Sequence, residues 1–256
     1  MKLASLPQAR DGRLIVVSDD LAWYADADHI VPTLQALLDG WDRHAPLLES
    51  LAIELAHEVI PRKRFHEREA AAPLPRCPHR AGGSDSLHAA REAFALADES
   101  WGAASAPAVV VVTGDIAQGA SADQARAQIR LVGLTHEIVL AAAPSGADAH
   151  PASFCSPVFV TPESLGDAWQ HGALCCPVLV DRAGAQTWVD PARVDFGERL
   201  AALAATRALS AGALVGVALP SADAAPLARG ETVAVDARDG RGHSLFGKIE
   251  QKIAAV

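Results

Sequence analysis

The sequence predicts an α+β protein with a small N-terminal α/β domain over residues 1–60 and a β-rich domain over residues 96–256. Three observations carry this. A short apolar strand is followed by two amphipathic helical patterns before residue 60. The composition then breaks over residues 61–95 into a basic run and a Pro- and Ala-rich stretch. From residue 101 strand patterns dominate, with two helices between them, which reads as a mixed β-rich domain rather than a doubly wound sheet.

The first strand is Leu14–Val17, closed by the polar turn Ser18-Asp19-Asp20. Pro32 suits the first turn of a helix, and Leu34, Leu37, Leu38 and Trp41 then fall on one face at i, i+3, i+4 and i+7. Pro46 opens a second helix carrying Leu47, Leu48, Leu51 and Leu55. The stretch "PRKRFHER" at 61–68, "AAAPLPRCPHR" and the Gly-Gly turn of "AGGSDS" read as a linker. Strands are expected at Val109–Val112, Ile138–Ala141, Val158–Val160, Pro177–Val180, Thr232–Asp236 and around Ser244–Ile249. Ser121 with Gln124 three residues on forms a capping-box pattern. A last helix runs from Phe196 to about Arg207, with Leu200 and Leu203 facing inward.

Composition narrows the function. The 256 residues carry a formal charge of −9, which excludes a general nucleic-acid binder, since that role needs a basic face. No apolar run approaches the roughly 20 residues that span a bilayer, and the N-terminus has no signal-peptide pattern. The expectation is a cytoplasmic protein with no nucleic-acid or membrane partner. Cys77, Cys155, Cys175 and Cys176 show no C-x-x-C spacing and read as reduced thiols, the vicinal pair facing opposite ways.

The stretch "WGAASAPAVVVVTGD" at 101–115 is a valine strand closed by a Thr-Gly-Asp turn, an arrangement that often borders a site. Between Ala103 and Ala108 only the hydroxyl of Ser105 offers chemistry. "VVVVTGDIAQG" lacks the glycine spacing of a phosphate cradle, and "AGGSDS" is not the G-x-S-x-G elbow that would make Ser84 a nucleophile.

With these residues in view, the chain resembles the bacterial fumarylacetoacetate hydrolase family. "MKLASL…DGRLIVVS", "AAPLPR" at 71–76, "GGSD" at 82–85, "LADESWG" at 96–102 and "VVTGD" at 111–115 carry the likeness. "IRLVGLTHEI" at 129–138, "PASFCSPVFVTPESLGDAW" at 151–169 and "GRGHSLFGKIEQ" at 240–251 extend it to the C-terminus. The resemblance implies a small N-terminal domain and a mixed β-roll C-terminal domain, usually dimeric. It also implies cleavage, hydration, decarboxylation or isomerisation of β-diketo or 2-keto acids.

In the family, an E-x-E pair on one strand points to one face and joins an aspartate to hold Mg²⁺ or Mn²⁺, hard cations that take oxygen ligands. A histidine acts as general base and a lysine completes the anion site. The match without a gap between Trp101-Gly102 and Thr113-Gly114-Asp115 sets Ala106 and Ala108 at the two glutamate positions. Glu137 stands at the aspartate position. His136 beside it points to the opposite face.

His150 stands where the family has lysine. The stretch between "PLPR" and "GGSD", which carries the family's histidine and lid, is largely missing, so residues 61–95 are also a shortened lid region. His79 survives there without a motif. The family's G-S-G-T turn reads Gly216 to Leu219, and "PSADAAPLARG" after it is short. Three carboxylates reduced to one remove most of the charge that offsets the dehydration of Mg²⁺, and loss of a general base costs a further ~10²–10⁴ in rate.

The expected vestigial metal positions are therefore Ala106, Ala108 and Glu137, with no metal cofactor expected. Glu137 and His150 remain the candidates for catalysis. Ser84, Asp85 and Asp115 are set in the substrate pocket, although Asp115 also reads as a turn residue that bonds its own backbone. A small carboxylate or keto acid is the expected ligand, and the expected assembly is a homodimer or a heteromer with a complete family homologue. Three functions are compatible with the residues. One is a binding or partner subunit without metal chemistry. Another is a metal-independent tautomerase, decarboxylase or cyclase using Glu137 and His150. The third is a metal-dependent hydrolase with displaced ligands, Glu99 among them.

Overall fold

The computed structural model describes residues 1–191, 194–220 and 225–256. Strands β1 (Lys2–Leu6), β2 (Arg13–Val17), β3 (Trp23–Asp26) and β4 (Lys63–Arg64) form an antiparallel set. β5 (Arg80–Ala81), β6 (Leu87–His88) and β7 (Phe94–Leu96) are short pieces of the linker. β8 (Ala103–Thr113) and β9 (Ile129–Leu140) are the two long strands. β10 (Ala152–Cys155) and β11 (Phe159–Val160) follow, then the small pair β12 (Trp169–Gln170) and β13 (Ala173–Leu174). β14 (Val178–Arg182), β15 (Ala185–Val189), β16 (Leu214–Ala218), β17 (Thr232–Ala237) and β18 (Ile249–Ala255) complete the strands. The helices are α1 (Leu34–Asp39), α2 (Trp41–Ala56), α3 (Ala122–Arg126) and α4 (Phe196–Ala204).

The main sheet runs β4-β3-β2-β1-β11-β9-β8-β16-β5, and β10 joins it beside β9 with β6 beyond. The N-terminal strands enter this sheet directly, because β1 pairs with β11 and β11 with β9. A second sheet, β15-β14-β17-β18-β7, packs against it.

Strand alternation sorts β8 cleanly. Val109 and Val111 turn to one core with Val233, Val235 and Ile249 of the second sheet. Val110 and Val112 turn to the other core with Leu34, Leu37, Leu48 and Leu55 of the helices. Fully burying each such leucine stabilises the fold by about 1.5–3 kcal/mol. Ala106 and Ala108 therefore share the helix-side face, while Ser105 and Pro107 share the face of the second sheet.

Several elements differ from the pattern reading. β1 is a full strand although "KLASL" is only weakly patterned, because it is sandwiched between β2 and β11. The second helix starts at Trp41, and Pro46 lies inside it. Removing one N–H just past the first turn is outweighed by burial of Ala45, Leu48, Leu51 and Leu55. The third expected strand reaches back to Ile129, and the last one is Ile249–Ala255, since the chain from Ser244 to Gly247 bends, closed by the Gly247 N–H on Ser244 Oγ at 3.0 Å. Ser121 forms the full capping box with Gln124. Cys175 is exposed and Cys176 buried, and burial pushes the Cys155 thiol up to about 12 and that of Cys176 up to about 11. The shortened segment "PSADAAPLARG" falls in part on residues 221–224, outside the described residues.

Candidate functional site

The register of β8 against β9 sets Ala106 directly across from Glu137, and Ala108 across from Thr135. On the other side of β9, Ser153 of β10 is the partner of Glu137. On the other side of β8, Ala218 pairs with Ala108 and Gly216 with Val110. Directly opposed residues point to one face. This face therefore presents one carboxylate, flanked by a serine and a threonine, beside a patch of alanine and glycine.

The linker covers that face. β5 runs parallel to β16 at one edge, with Leu214 paired to Arg80, and β6 runs parallel to β10 at the other, with Ser153 paired to Leu87. Residues 82–86 cross between them as a strap. Gly82 lies over the Gly216 carbonyl, and a side chain at Gly83 would strike the Glu137 carboxyl group and the Arg80 guanidinium. Gly82 and Gly83 have φ of +84° and +91°, a region that side-chain-bearing residues avoid.

Three donors converge on Glu137, one from β5, one from the strap and one from β10. The Arg80 Nη2 donates to Oε1 in an ion pair whose side chains are 2% and 7% exposed. The Ser84 N–H donates to Oε2 at 3.2 Å, and the Ser153 hydroxyl donates to the same oxygen. Arg80 Nη2 also reaches Ser153 Oγ at 3.1 Å, as does the Ser84 N–H. Breaking a buried pair of this kind by removing one partner costs about 3–5 kcal/mol, because the other charge is stranded. Arg80 Nε, Arg80 Nη1 and Thr135 Oγ1 are buried without a hydrogen-bond partner among the described residues.

The remaining expected site residues are spread out. Ser84 is buried on the strap and its hydroxyl accepts from the Ser86 N–H at 3.0 Å. Asp85 is exposed beside it. His150 is exposed in the loop before β10, its N–H bonded to Asp148 at 2.8 Å. It stands three residues from Ser153, roughly 10 Å along an extended chain. Asp115 accepts the Ala211 N–H at 2.9 Å and so braces the turn after β8. That is nine residues from Ala106, on the order of 30 Å of extended chain. Glu99 accepts the Arg229 N–H at 2.7 Å. His79 contacts Arg207 at 2.7 Å, and its pKa is lowered by burial first and by the Arg207 charge second.

Two groups escaped the sequence reading. Arg80 follows His79 in a stretch with no motif, and its partner is distant in the chain. The other is a row on the opposite face of β8 and β9. The Ser105 Oγ lies 2.7 Å from His136 Nε2, and His136 Nδ1 is hydrogen-bonded to Gln251 Oε1 on β18. A carboxamide oxygen only accepts. It therefore holds the imidazole proton on Nδ1 and leaves Nε2 to accept from the serine. His136 is fully buried, and that burial lowers its pKa to about 4, so the ring is neutral at physiological pH.

Concavities lie elsewhere among the described residues. One of about 760 Å³ surrounds Cys175, Trp188, Arg238 and Arg241, and another of about 480 Å³ surrounds Lys2, Asp19 and Glu49.

Solved structures of fumarylacetoacetate hydrolase family members share this fold, a roll of two sheets with a small N-terminal unit, and residues 1–76 match the family model for fumarylacetoacetase N-terminal domain 2. Maleylpyruvate hydrolase from Sphingobium sp. SYK-6 superimposes with a TM-score of 0.75 at 13% identity, each chain covered in full. The same enzyme in complex with manganese(II) ion and pyruvate gives 0.76, covering 100% of this chain and 99% of that one. A putative HpcE protein from Mycobacterium smegmatis gives 0.71 at 16% identity, again over both full lengths. Fumarylacetoacetate hydrolase from Exiguobacterium antarcticum gives 0.71 at 13% identity over the same span. No curated protein matches by sequence.

Proposed function

We propose that this chain is a fumarylacetoacetate-hydrolase-fold protein that does not run metal-dependent carbon–carbon bond hydrolysis and serves as a binding or partner subunit. The ligand class that suits its fold is a small carboxylate or keto acid, and its assembly is a homodimer or a heteromer with a complete homologue. One observation carries the reading: Ala106 faces Glu137 across β8 and β9.

Where two carboxylates would converge with a third, two methyl groups stand instead. The residues present do not fit Mg²⁺ or Mn²⁺. A hard cation needs several oxygens with free lone pairs. Here the one carboxylate already accepts from a guanidinium, a hydroxyl and a backbone N–H.

Thermal unfolding with Mn²⁺ or Mg²⁺, each with and without oxalate or pyruvate, tests this. The midpoint is expected to ignore the metals, with or without the keto acid, and a rise with the keto acid alone favours a metal-independent enzyme. A clear rise at sub-millimolar metal overturns the reading.

A second reading, a metal-independent enzyme, is favoured by one specific feature. Ser105, His136 and Gln251 stand in the order nucleophile, base, orienting group. A fluorophosphonate probe followed by peptide mass spectrometry decides it. Labelling of Ser105 that is lost in His136→Gln supports an acyl-transfer activity; an unlabelled Ser105 ends it.

A further inference from the structure

We propose that the Arg80 guanidinium is the resident cation of this face, carried by β5 at the start of the strap into the place over Glu137 that a divalent ion would otherwise take. The inference rests on the reading above that the chain holds no metal there, and it names what holds the carboxylate instead.

Four observations converge on it. First, the charges match: one buried guanidinium meets one buried carboxylate, so the face is neutral without an ion, as burial demands. Second, the polarity is reversed from that of a metal site. The groups aimed at Glu137 are the Arg80 Nη2, the Ser84 N–H and the Ser153 hydroxyl. The first two are donors with no lone pair to offer a cation, and their hydrogens repel one.

Third, the guanidinium needs a path. β5 lies beyond β16 and β8 from β9, so the Arg80 side chain reaches Glu137 across the face where Ala108 and Ala218 are paired and Ala106 stands opposite Glu137. Small side chains leave that path open, and glutamates at 106 and 108 would fill it. Fourth, the strap is seated too closely for anything between. Gly83 lies against both members of the pair, and Gly82 against the Gly216 carbonyl. The alanines at 106 and 108, the glycines at 82 and 83, and Arg80 thus form one coordinated set. Each of them makes room for, or supplies, the same internal ion pair.

The set predicts that metal affinity returns only when the carboxylates are restored and the guanidinium is removed together. Mn²⁺ binding is read from the electron paramagnetic resonance signal of the free aquo-ion, titrated with full-length protein. Wild type and Ala106→Glu/Ala108→Glu are expected to leave the signal unchanged. Ala106→Glu/Ala108→Glu/Arg80→Ala is expected to quench it stoichiometrically. A double variant that binds Mn²⁺ as well as the triple variant overturns the proposal, as does a folded triple variant that leaves Mn²⁺ free. Binding by the wild type would instead defeat the functional reading on which the proposal rests.

Arg80→Ala alone provides the second measurement if the triple variant does not fold. Its thermal midpoint is expected to fall and to be partly restored by low-millimolar guanidinium, with no such gain in the wild type. An Arg80→Ala protein with the wild-type midpoint shows that Glu137 needs no cation and overturns the proposal.

Discussion

Arg80 and Glu137, 57 residues apart in the chain, form a buried ion pair that ties the linker to the middle of the main sheet. Both side chains are almost wholly inaccessible. The pair therefore links the stability of the sheet to the seating of the strap.

Removing either member strands the other. Glu137→Leu and Arg80→Met are each expected to lower the unfolding free energy by about 3–5 kcal/mol, whereas Arg80→Met/Glu137→Leu recovers most of the loss. Urea unfolding of the four proteins gives the cycle. Additive losses in the double variant would show that the two residues act independently.

Gly83 meets two penalties on substitution, a φ of +91° and contact with the ion pair. Gly82 has a φ of +84°, but its nearest neighbour is the Gly216 carbonyl oxygen at 3.1 Å. Gly83→Ala is expected to cost about 2–4 kcal/mol, and Gly82→Ala about 1–2 kcal/mol. The difference between them in chemical denaturation reads the clash alone. Equal losses would leave backbone strain as the whole effect.

His136 makes stability depend on pH. Its folded pKa of about 4 lies below the unfolded value of 6.5, and burial is the largest cause. The unfolded chain therefore takes up a proton that the folded chain refuses. Stability is full above pH 6.5 and falls as the pH drops toward 4, by about 3 kcal/mol in all. His79, also lowered, acts in the same direction. Unfolding free energies at pH 7 and pH 4.5 should differ in the wild type and differ far less in His136→Gln. An unchanged slope in that variant would assign the acid sensitivity to other groups.

The capping box of α3 is local and small. Ser121→Ala removes the acceptor for the Gln124 N–H, and the expected loss is about 1 kcal/mol. Gly133→Ala should cost more, because the Phe159 ring lies directly on Gly133 and a well-packed core resists added volume. Thermal midpoints of the two variants test the order.

The sequence by itself determined the class of fold and the polarity of its central strands. The alternation that sends Val109 and Val111 to one core and Val110 and Val112 to the other is a period-two property of the chain. It places Ala106 and Ala108 on one face without any coordinates. The ungapped match that put Glu137 beside them needed only the order of the quoted blocks, and the observed register sets Ala106 opposite Glu137.

Only the tertiary structure decided what meets that carboxylate. Nothing in "PHRAGGSDS" distinguishes Arg80 from any basic residue of a solvated linker, because its role depends on β5 docking against β16 and the strap crossing the sheet from there to β6. The same holds for Ser105, His136 and Gln251, which lie on three strands of two sheets. Periodicity is a local property and survives in the one-dimensional string. Which buried charge finds which partner depends on strand order and sheet packing, contacts whose ends are separated by scores of residues and leave no spacing to read.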